Sequence, residues 1–291
     1  MISGFELLEP KSVKEACSML SKYGDQAKVI AGGLSLLLFM REKLYRPKYL
    51  VSIMGIKGLD YIKYDEKNGL RIGALTTHRT IENSKTIKEK FPVMAETFHK
   101  VGSMRIRNVG TIGGNLCHAD PRLDPPPTLL ALDAEVKVVG PKGNRTIKLE
   151  DFFVNYYETV LKPDEILTEV RVPGSPPKTG GAYIRFSTKT NDDTPAVELA
   201  AVVTLDSKKE VLENVKIGLG ALAPTAIRAK KTEVFLKGKK FKADILEEAS
   251  RIVSQEVDPI GDLRGSEEYK KEMVGVMLKR GVKMAYEKAG R

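Results

Sequence analysis

The stretch Val101–Pro121, VGSMRIRNVGTIGGNLCHADP, is the part of the sequence on which the predicted fold depends most. Its segment Gly110–Asn115 contains a glycine pair, and glycine lets the backbone approach a ligand because it has no Cβ. Successive N–H groups in such a turn form a concave anion site. Arg105 and Arg107 add positive charge, and Asp120 is placed to accept hydrogen bonds from a ribose hydroxyl. A glycine pair alone more often indicates a tight turn, but this combination favours a dinucleotide pyrophosphate over a hydrolytic site.

A second glycine pair occurs near the N-terminus, at Gly32–Gly33. It follows a short buried strand predicted at Lys28–Ala31 and precedes an apolar run that extends to Met40. A strand, a glycine turn and a helix in this order offer free N–H groups and the positive end of a helix to an anion. The pattern is neither a GxGxxG fingerprint nor a Walker loop. Two loops of this kind can hold one pyrophosphate between them.

The composition describes a globular chain with an excess of positive charge. Lys and Arg number 48 against 38 Asp and Glu, which gives a net charge of +10. Such a charge suggests nucleic acid, yet clusters such as Lys237–Lys242 are short and interrupted. A basic surface that faces an acidic partner is therefore predicted instead. Cys17 and Cys117 are too few and too far apart for a zinc or iron–sulfur site. Without a signal pattern or a long apolar run, a soluble cytoplasmic protein with no membrane contact is expected.

Hydrophobic periodicity predicts three successive units. Ser12 and Glu15 are typical of a helix N-terminus, and a helix is predicted around Ile87–His99. The three prolines after Asp124 are expected to stop regular structure. The remaining predictions are a hairpin at Glu135–Val139 and Arg145–Leu149, a strand at Ile166–Val172, antiparallel strands at Ala182–Ser187, Ala196–Leu205 and Val211–Leu219, and helices near Arg228–Leu236, Ala243–Val257 and Glu267–Lys288.

The last predicted helix and a lone histidine are the remaining candidates for a chemical role. A helical face is predicted to contain Tyr269, Met273, Val276, Met277 and Met284, and such a stripe is more often core than a cofactor site. A histidine after a strand, at position 78, is a candidate base but is more often a local hydrogen-bond partner. No catalytic triad, paired-carboxylate motif or HExxH occurs. A redox cofactor explains that absence, because the cofactor carries the chemistry and the protein positions it.

Together these motifs resemble the FAD-binding medium subunit of molybdenum hydroxylases, a family that includes carbon monoxide dehydrogenase, xanthine dehydrogenase and aldehyde oxidoreductases. The resemblance covers essentially the whole chain and is closest to archaeal aldehyde (glyceraldehyde) oxidoreductases. The segments that carry it are Ala31–Ser35, Arg46–Val51, Arg105–Pro121, Gly220–Arg228 and Asp262–Tyr269. Each motif is short, but their order and spacing are specific.

The resemblance implies an α+β fold. Two α/β sub-domains, 1–55 and 56–175, would form a PCMH-type FAD-binding domain. A C-terminal domain, 176–291, would contain a three-stranded antiparallel sheet and a helical bundle. The resemblance also implies FAD on this chain, molybdopterin on a large subunit and [2Fe–2S] clusters on a small subunit. The complex would be a heterotrimer or a dimer of heterotrimers that oxidises an aldehyde.

By the same resemblance, the pyrophosphate would contact both glycine motifs, with other residues near the nucleotide or the flavin ring. The segment 187–195 departs from the family because it lacks the aromatic residue that some relatives stack on the flavin; Arg185 and Lys189 are the alternative contacts there. The implied cofactor-binding residues are Ala31, Gly32, Gly33, Leu34, Ser35, Leu36, Thr77, Gly110, Thr111, Ile112, Gly113, Gly114, Asn115, Asp120, Asp124, Ile166, Leu167 and Lys189.

Two other classes of function remain open at the level of sequence. A stand-alone FAD-dependent oxidoreductase would need its own acid and base beside a substrate pocket. A basic nucleotide-binding module would need an aromatic and basic platform. Neither constellation is visible, so the electron-transfer subunit is the favoured hypothesis.

Overall fold

A computed structural model describes residues 4–188, 190 and 193–290. The chain begins with a small parallel sheet in the order β1-β3-β2. Parallel strands need crossover connections, and two helices supply them. The elements are β1 Glu6–Leu8, α1 Val13–Tyr23, β2 Ala27–Ile30, α2 Leu34–Arg41 and β3 Tyr49–Ser52, with a 3-10 turn at Gly24–Gln26.

Helix α1 begins where the sequence predicted. The Ser12 hydroxyl accepts a hydrogen bond from the N–H of Glu15 at 3.2 Å. The Glu15 carboxylate accepts from the N–H of Lys11 at 2.7 Å, one residue before the cap, so the reciprocal bond of a full capping box is not made. Cys17 is buried on the inner face of this helix, as expected.

The second sheet is antiparallel, and its strands follow the order β4-β5-β10-β6-β7. A series of short helices connects β5 to β6 and covers one face of the sheet. The elements are β4 Ile62–Asp65, β5 Gly69–Gly73, α3 His78–Asn83, α4 Lys85–Lys90, α5 Pro92–Lys100, α6 Met104–Val109, α7 Ile112–His118, α8 Pro125–Ala131, β6 Glu135–Gly140, β7 Gly143–Lys148, a 3-10 turn at Leu149–Asp151, the hairpin β8 Phe153–Asn155 and β9 Glu158–Thr159, and β10 Ile166–Val172.

Prolines explain two differences from the predicted helices. The helix expected around Ile87–His99 is divided into α4 and α5, because Pro92 cannot continue α4 and instead occupies the first turn of α5. The prolines after Asp124 do not stop regular structure. They form the first turn of α8, where the N–H groups that proline lacks would have no helical partner.

The third sheet has four antiparallel strands, and helices pack on it. Three long strands match those predicted, and a fourth of two residues extends the sheet beyond the expected three. This confirms the α+β fold class. The elements are β11 Thr179–Phe186, β12 Val197–Leu205, β13 Leu212–Gly220, β14 Ile227–Arg228, α9 Lys230–Leu236, α10 Ala243–Ser254 and α11 Glu267–Ala289.

The buried face of α11 differs from the predicted methionine stripe. Met277 is buried, but Tyr269 and Met284 are exposed. The inner face instead combines aliphatic residues such as Leu278 and Val282 with small ones. A Cβ at Gly281 would lie 2.6 Å from Leu199 Cδ2. The helix backbone therefore packs directly on the sheet, which leaves the longer side chains at the edge.

Strand β12 is buried on both faces and joins two cores. Its residues Leu199 and Ala201 face α10 and α11 in the C-terminal core. Ala200 and Val202 point the other way and belong to the core of the second sheet. The segment between the second glycine pair and α8 lies on this second side, so its position depends on β12 and its neighbours.

Candidate functional site

The first glycine loop presents an unsatisfied helix N-terminus. Gly33 caps α2 with φ 75°, a left-handed conformation that glycine adopts without the steric penalty of a Cβ. The first intrahelical bond runs from the N–H of Leu37 to the carbonyl of Gly33 at 2.9 Å. The N–H groups of Gly33, Leu34, Ser35 and Leu36 make no hydrogen bond within the described residues. An anion placed here would accept hydrogen bonds from these N–H groups and would be stabilised by the positive end of the helix dipole.

The two glycine loops are in contact. A Cβ at Gly32 would overlap the carbonyl oxygen of Val109, the residue that ends α6. At the other ends of the two helices that follow the loops, the rings of Phe39 and His118 lie 5.2 Å apart, and Tyr157 packs on both. The C-terminal ends of α2 and α7 therefore also meet, through these rings. This confirms that the fold brings the motifs together.

The N–H groups of the second loop are already used within the protein. Gly113 donates to the carbonyl of Ala74 at 2.9 Å. Gly114 donates to the Thr111 hydroxyl at 3.1 Å, and Asn115 donates to the Thr111 carbonyl at 2.9 Å. The concave N–H site predicted for this loop is therefore wrong, because Thr111 and the end of β5 satisfy its donors.

The second loop instead offers an open surface and a side-chain amide. Gly114 is exposed, and apart from its own helix a Cβ there would meet only the Thr111 hydroxyl. The side-chain oxygen of Asn115 is buried without a hydrogen-bond partner in the structure. A ligand that approached Gly114 could supply that partner. Gly113 has the opposite role, since a Cβ there would lie 2.7 Å from the Cβ of Ala74.

The predicted cations of this stretch are not equivalent. Arg107 lies on α6 and is buried, and its Nε donates to Glu82 at 3.0 Å. Its Nη1 donates to the carbonyls of Val101 and Gly102. Arg107 therefore anchors α6 to α3 and is not free to bind a phosphate, which corrects the prediction. Arg105 is exposed on the same helix.

Asp120 lies just after α7 and is partly buried. Its carboxylate accepts from the N–H of Arg122 at 3.0 Å, from the Nε of Arg122 at 3.2 Å and from the Tyr157 hydroxyl at 3.2 Å. Burial and the nearby Asp120 charge raise the pKa of Tyr157. Arg122 and Tyr157 thus hold the Asp120 carboxylate in place, and it keeps limited access to solvent.

Asp124 is buried deeper, against the third sheet. Its Oδ1 accepts from the Tyr183 hydroxyl at 2.7 Å and from Arg185 at 2.9 Å. Burial raises the pKa of Asp124 to about 6, while Arg185 and Tyr183 oppose that rise. Because Arg185 is committed to Asp124 and to the Lys100 carbonyl, it is not a free contact for a flavin.

Of the remaining predicted contacts, one lies at a helix cap, two lie in the cores and one lies outside the described residues. Thr77 lies opposite Thr111 across a β-bridge and caps α3. Ile166 and Leu167 are buried in the cores at the start of β10, so any ligand contact there would involve their backbone. Lys189 lies outside the described residues.

His78 does not have the properties of a general base. Its ring is buried, and a Cβ at Gly110 would lie 2.8 Å from its Cδ2. Burial, followed by the charge of Arg107, lowers the pKa of His78 to about 4. The imidazole is therefore a neutral packing group directly behind the second loop. Its Nδ1 is buried without a hydrogen-bond partner among the described residues, so the local hydrogen-bond role that the sequence favoured is not observed either.

Two cavities lie away from the loops. One, of about 610 Å³, opens beside Arg71, Arg171 and Arg228. Another, of about 700 Å³, lies beside His99, Lys100 and Arg185. Neither is lined by a glycine-loop residue, which is consistent with a dinucleotide groove that is open to solvent. Among the described residues, no three His, Cys, Asp or Glu side chains converge as a metal site. No helix there is both long and apolar enough to cross a membrane.

The residues of the loops fit FAD. The N-terminus of α2 provides four N–H donors without a partner among the described residues. Helix α7 provides an exposed glycine and, beside it, a side-chain amide oxygen without a partner among those residues. A pyrophosphate needs donors at close backbone approach, and the first loop supplies them. A threonine directly before a helix is a capping residue, and this signal was present in the sequence. Thr111 caps α7, so its hydroxyl and carbonyl accept the N–H groups of Gly114 and Asn115.

Comparisons with known proteins agree with this geometry. Residues 3–175 match the family described as the FAD binding domain in molybdopterin dehydrogenase, and residues 182–285 match the CO dehydrogenase flavoprotein C-terminal domain. The carbon monoxide dehydrogenase medium chain of Hydrogenophaga pseudoflava is 34% identical, with 97% of each chain covered. The glyceraldehyde dehydrogenase medium chain of Sulfolobus acidocaldarius is 31% identical over 96% of this chain and 97% of that one.

Solved structures extend the similarity to the whole fold. Carbon monoxide dehydrogenase from H. pseudoflava superposes with a TM-score of 0.95 at 34% identity, with 98% of each chain covered. Quinoline 2-oxidoreductase from Pseudomonas putida 86 gives 0.92 at 26% identity, with 99% of each chain covered. The chain therefore belongs to the family of FAD-binding medium subunits of molybdenum-dependent dehydrogenases.

Proposed function

We propose that this chain is the FAD-carrying electron-transfer subunit of a heterotrimeric molybdenum hydroxylase. It would receive electrons from the [2Fe–2S] clusters of a small subunit and deliver them to an external acceptor, while a large subunit carries the molybdenum cofactor. The observation that carries the proposal is the pair of loops in contact, one with unsatisfied helix N–H groups and the other with an open glycine. Bound FAD supplies the exchange of electrons, and the protein supplies its position.

Each loop has a different part in this proposal. The N–H groups of Gly33–Leu36 would donate to the pyrophosphate oxygens. Gly114 would allow the cofactor to approach α7. The buried side-chain oxygen of Asn115 would then accept a hydrogen bond from a donor group of the cofactor. Asp120 would accept from a hydroxyl group while Arg122 holds its carboxylate in place. His78 and Arg107 support the second loop from behind.

The names of the relatives support placing substrate selection on another subunit. Chains of this fold are named for carbon monoxide, glyceraldehyde, nicotine and xanthine. If one scaffold serves such different substrates, the scaffold does not select them. We propose an aldehyde as the substrate of the complete complex, on the support of the glyceraldehyde dehydrogenase medium chain among the relatives.

We further propose three structural units, 1–55, 56–175 and 176–291, and a cytoplasmic location. The three sheets support the division, since each is formed by strands of one unit. The two cysteines support the location, because both are free thiols, as is usual in a reducing compartment.

The proposal is tested by following the flavin absorbance under anaerobic conditions. The isolated chain loaded with FAD should be reduced by an artificial donor but not by an aldehyde. The complex that contains the iron–sulfur and molybdenum subunits should be reduced by an aldehyde, and carbon monoxide and xanthine serve as comparison substrates. Bleaching of the isolated chain by an aldehyde would contradict the relay, and a complex reduced only by a comparison substrate would contradict the aldehyde.

A further inference from the structure

A tyrosine hydroxyl lies between two buried carboxyl groups at the contact of α8 with the third sheet. The Tyr183 oxygen is 2.7 Å from Oδ1 of Asp124 and 2.8 Å from Oε1 of Glu198. Glu198 is 0% exposed, and its second oxygen has no hydrogen-bond partner. Both distances are those of good O–H···O bonds. One phenolic proton cannot be donated to both carboxyl groups, so a second proton must be present.

The second proton belongs on Glu198. Asp124 accepts from the Arg185 guanidinium at 2.9 Å, which stabilises its negative charge. Glu198 has no ion pair among the described contacts, and a buried carboxylate without a cation is strongly disfavoured. The hydrogen-bond chain therefore runs in one direction: Glu198 donates to Tyr183, Tyr183 donates to Asp124, and Arg185 donates to Asp124 from the other side.

Three elements, β11, β13 and α8, contribute the groups that surround Glu198. Strand β11 contributes Tyr183 and Arg185. The Nη1 and Nη2 groups of Arg185 donate to Asp124, the Lys100 carbonyl, Ser187 and the Asp193 carbonyl, while its buried Nε has no partner among the described residues. Strand β13 contributes Gly220 and helix α8 contributes Pro127, and both of these are neutral. Burial, followed by the charge of Asp124, raises the pKa of Glu198 well above its ordinary value, and Asp120 acts in the same direction. The hydrogen bond with Tyr183 and the charge of Arg185, which pairs with Glu198 across the two strands, oppose that rise without cancelling it.

Glycines in β13 make room for this arrangement. A Cβ at Gly220 would overlap Oε2 of Glu198, and a Cβ at Gly218 would overlap the carbonyl oxygen of Pro127. Next to them, the N–H of Ala221 donates to the carbonyl of Pro121 at 2.7 Å. The segment from Pro121 to Pro127 is thus fixed to the third sheet at several points. This segment leads directly from the second glycine loop and Asp120.

We propose that Glu198 is a positioning residue: as a neutral carboxylic acid it donates to Tyr183, Tyr183 donates to Asp124, and this chain locks the segment after the second glycine loop onto the C-terminal sheet. The locked segment would hold Asp120 and Asn115 in position for FAD, and this part of the proposal rests on the proposed function. The protonation of Glu198 does not, because it follows from contacts within the chain.

Infrared difference spectroscopy on the full chain without FAD tests the protonation directly. The C=O stretch of a protonated carboxylic acid should be present at neutral pH and lost in Glu198→Gln. Glu82→Gln is the matched control, because Glu82 is also buried. Burial alone would raise the pKa of Glu82, but hydrogen bonds from His99 and Arg79 and the nearby Arg107 lower it. The control should therefore retain the band. A band that persists in Glu198→Gln, or that is absent from the wild type, overturns the proposal.

The pH dependence of stability gives a second readout. A group with a raised pKa in the folded state binds its proton more tightly there, so stability is lost as pH rises above the pKa of the unfolded chain. Above about pH 7, where Asp124 with its pKa of about 6 is mostly ionised, the unfolding constant of the wild type should rise about tenfold per pH unit more than that of Glu198→Gln. Parallel profiles would contradict a neutral Glu198.

FAD titration tests the positioning role. Glu198→Gln retains a donor toward Tyr183 and should bind FAD like the wild type. Tyr183→Phe removes both hydrogen bonds and should weaken FAD binding about tenfold, the equivalent of one buried hydrogen bond. Equal affinity in a folded Tyr183→Phe chain would overturn the role in positioning. If the wild type itself binds no FAD, the proposed function fails, while the infrared result still decides the state of Glu198.

Discussion

Replacing Gly114 with alanine separates cofactor binding from folding. Apart from its own helix, the new Cβ would meet only the Thr111 hydroxyl, at 2.9 Å. Turning that hydroxyl away loses a helix cap of about 1 kcal/mol. Alanine is better than glycine inside a helix by about 0.8–1 kcal/mol. The two effects nearly cancel, so the free energy of unfolding should change by less than about 1 kcal/mol.

FAD binding should change much more. The open side of Gly114 is where we propose that the cofactor approaches, so the methyl group would occupy space needed by the ligand. Overpacking a fitted contact costs about 1–3 kcal/mol, which corresponds to a dissociation constant raised about 5- to 150-fold. Isothermal titration of the apo chain with FAD measures this directly, and chemical denaturation of the same samples measures stability.

Gly55→Ala is the matched control for this prediction. A Cβ at Gly55 has nothing within 4 Å, and its φ is not positive. The control should therefore bind FAD as the wild type does, with similar stability. Wild-type affinity in a folded Gly114→Ala chain would show that the cofactor does not approach this loop, and equal losses in both variants would show a non-specific effect.

Further predictions concern the loop contacts and pH. Gly32→Ala should destabilise the chain by about 1–3 kcal/mol, because the new Cβ would overlap the Val109 carbonyl and force the loops apart; an unchanged unfolding midpoint in denaturant would refute that contact. Asp120→Ala should weaken FAD binding by roughly 1–3 kcal/mol, the loss of a charged hydrogen-bond partner; unfolding of the variant would instead indicate that the Asp120 pair with Arg122 is purely structural. His78, whose pKa is lowered to about 4 from 6.5, binds a proton more readily in the unfolded chain. Stability should therefore fall by about 3 kcal/mol as pH falls from 6.5 to 4, and His78→Gln should lack that part of the pH profile.

The elements were predictable where one physical signal dominated. Ser12 caps α1, and the alternating pattern of Ile166–Val172 forms β10. The two glycine loops were also found, since glycine at a sharp turn between a strand and a helix leaves a clear pattern. Their contact through Gly32 and Val109 required the fold, because it depends on how two separate units pack.

Errors arose where a side chain had two possible partners. Arg107 was expected at a phosphate, yet Glu82, far along the chain, neutralises it. The sequence around Thr111 predicts an anion-binding loop, but the Thr111 hydroxyl and carbonyl accept hydrogen bonds from Gly114 and Asn115. Glu198 gave no signal at all, because a carboxyl group in an apolar strand is recognisable as buried only when its partners from β11 and α8 are known. Local sequence patterns therefore predict helices and strands. The hydrogen-bonding and protonation state of a polar group depends instead on residues that are distant in the sequence.

A crystal structure of the chain with bound FAD tests the central claim most directly. The account predicts pyrophosphate oxygens at hydrogen-bonding distance, about 3 Å, from the N–H groups of Gly33–Leu36, with Gly114 and Asn115 against the same ligand. The Gly113 and Gly114 N–H groups should keep their bonds to Ala74 and Thr111. A pyrophosphate in another place, such as the cavity beside Arg71 and Arg228, would contradict the assignment of the site.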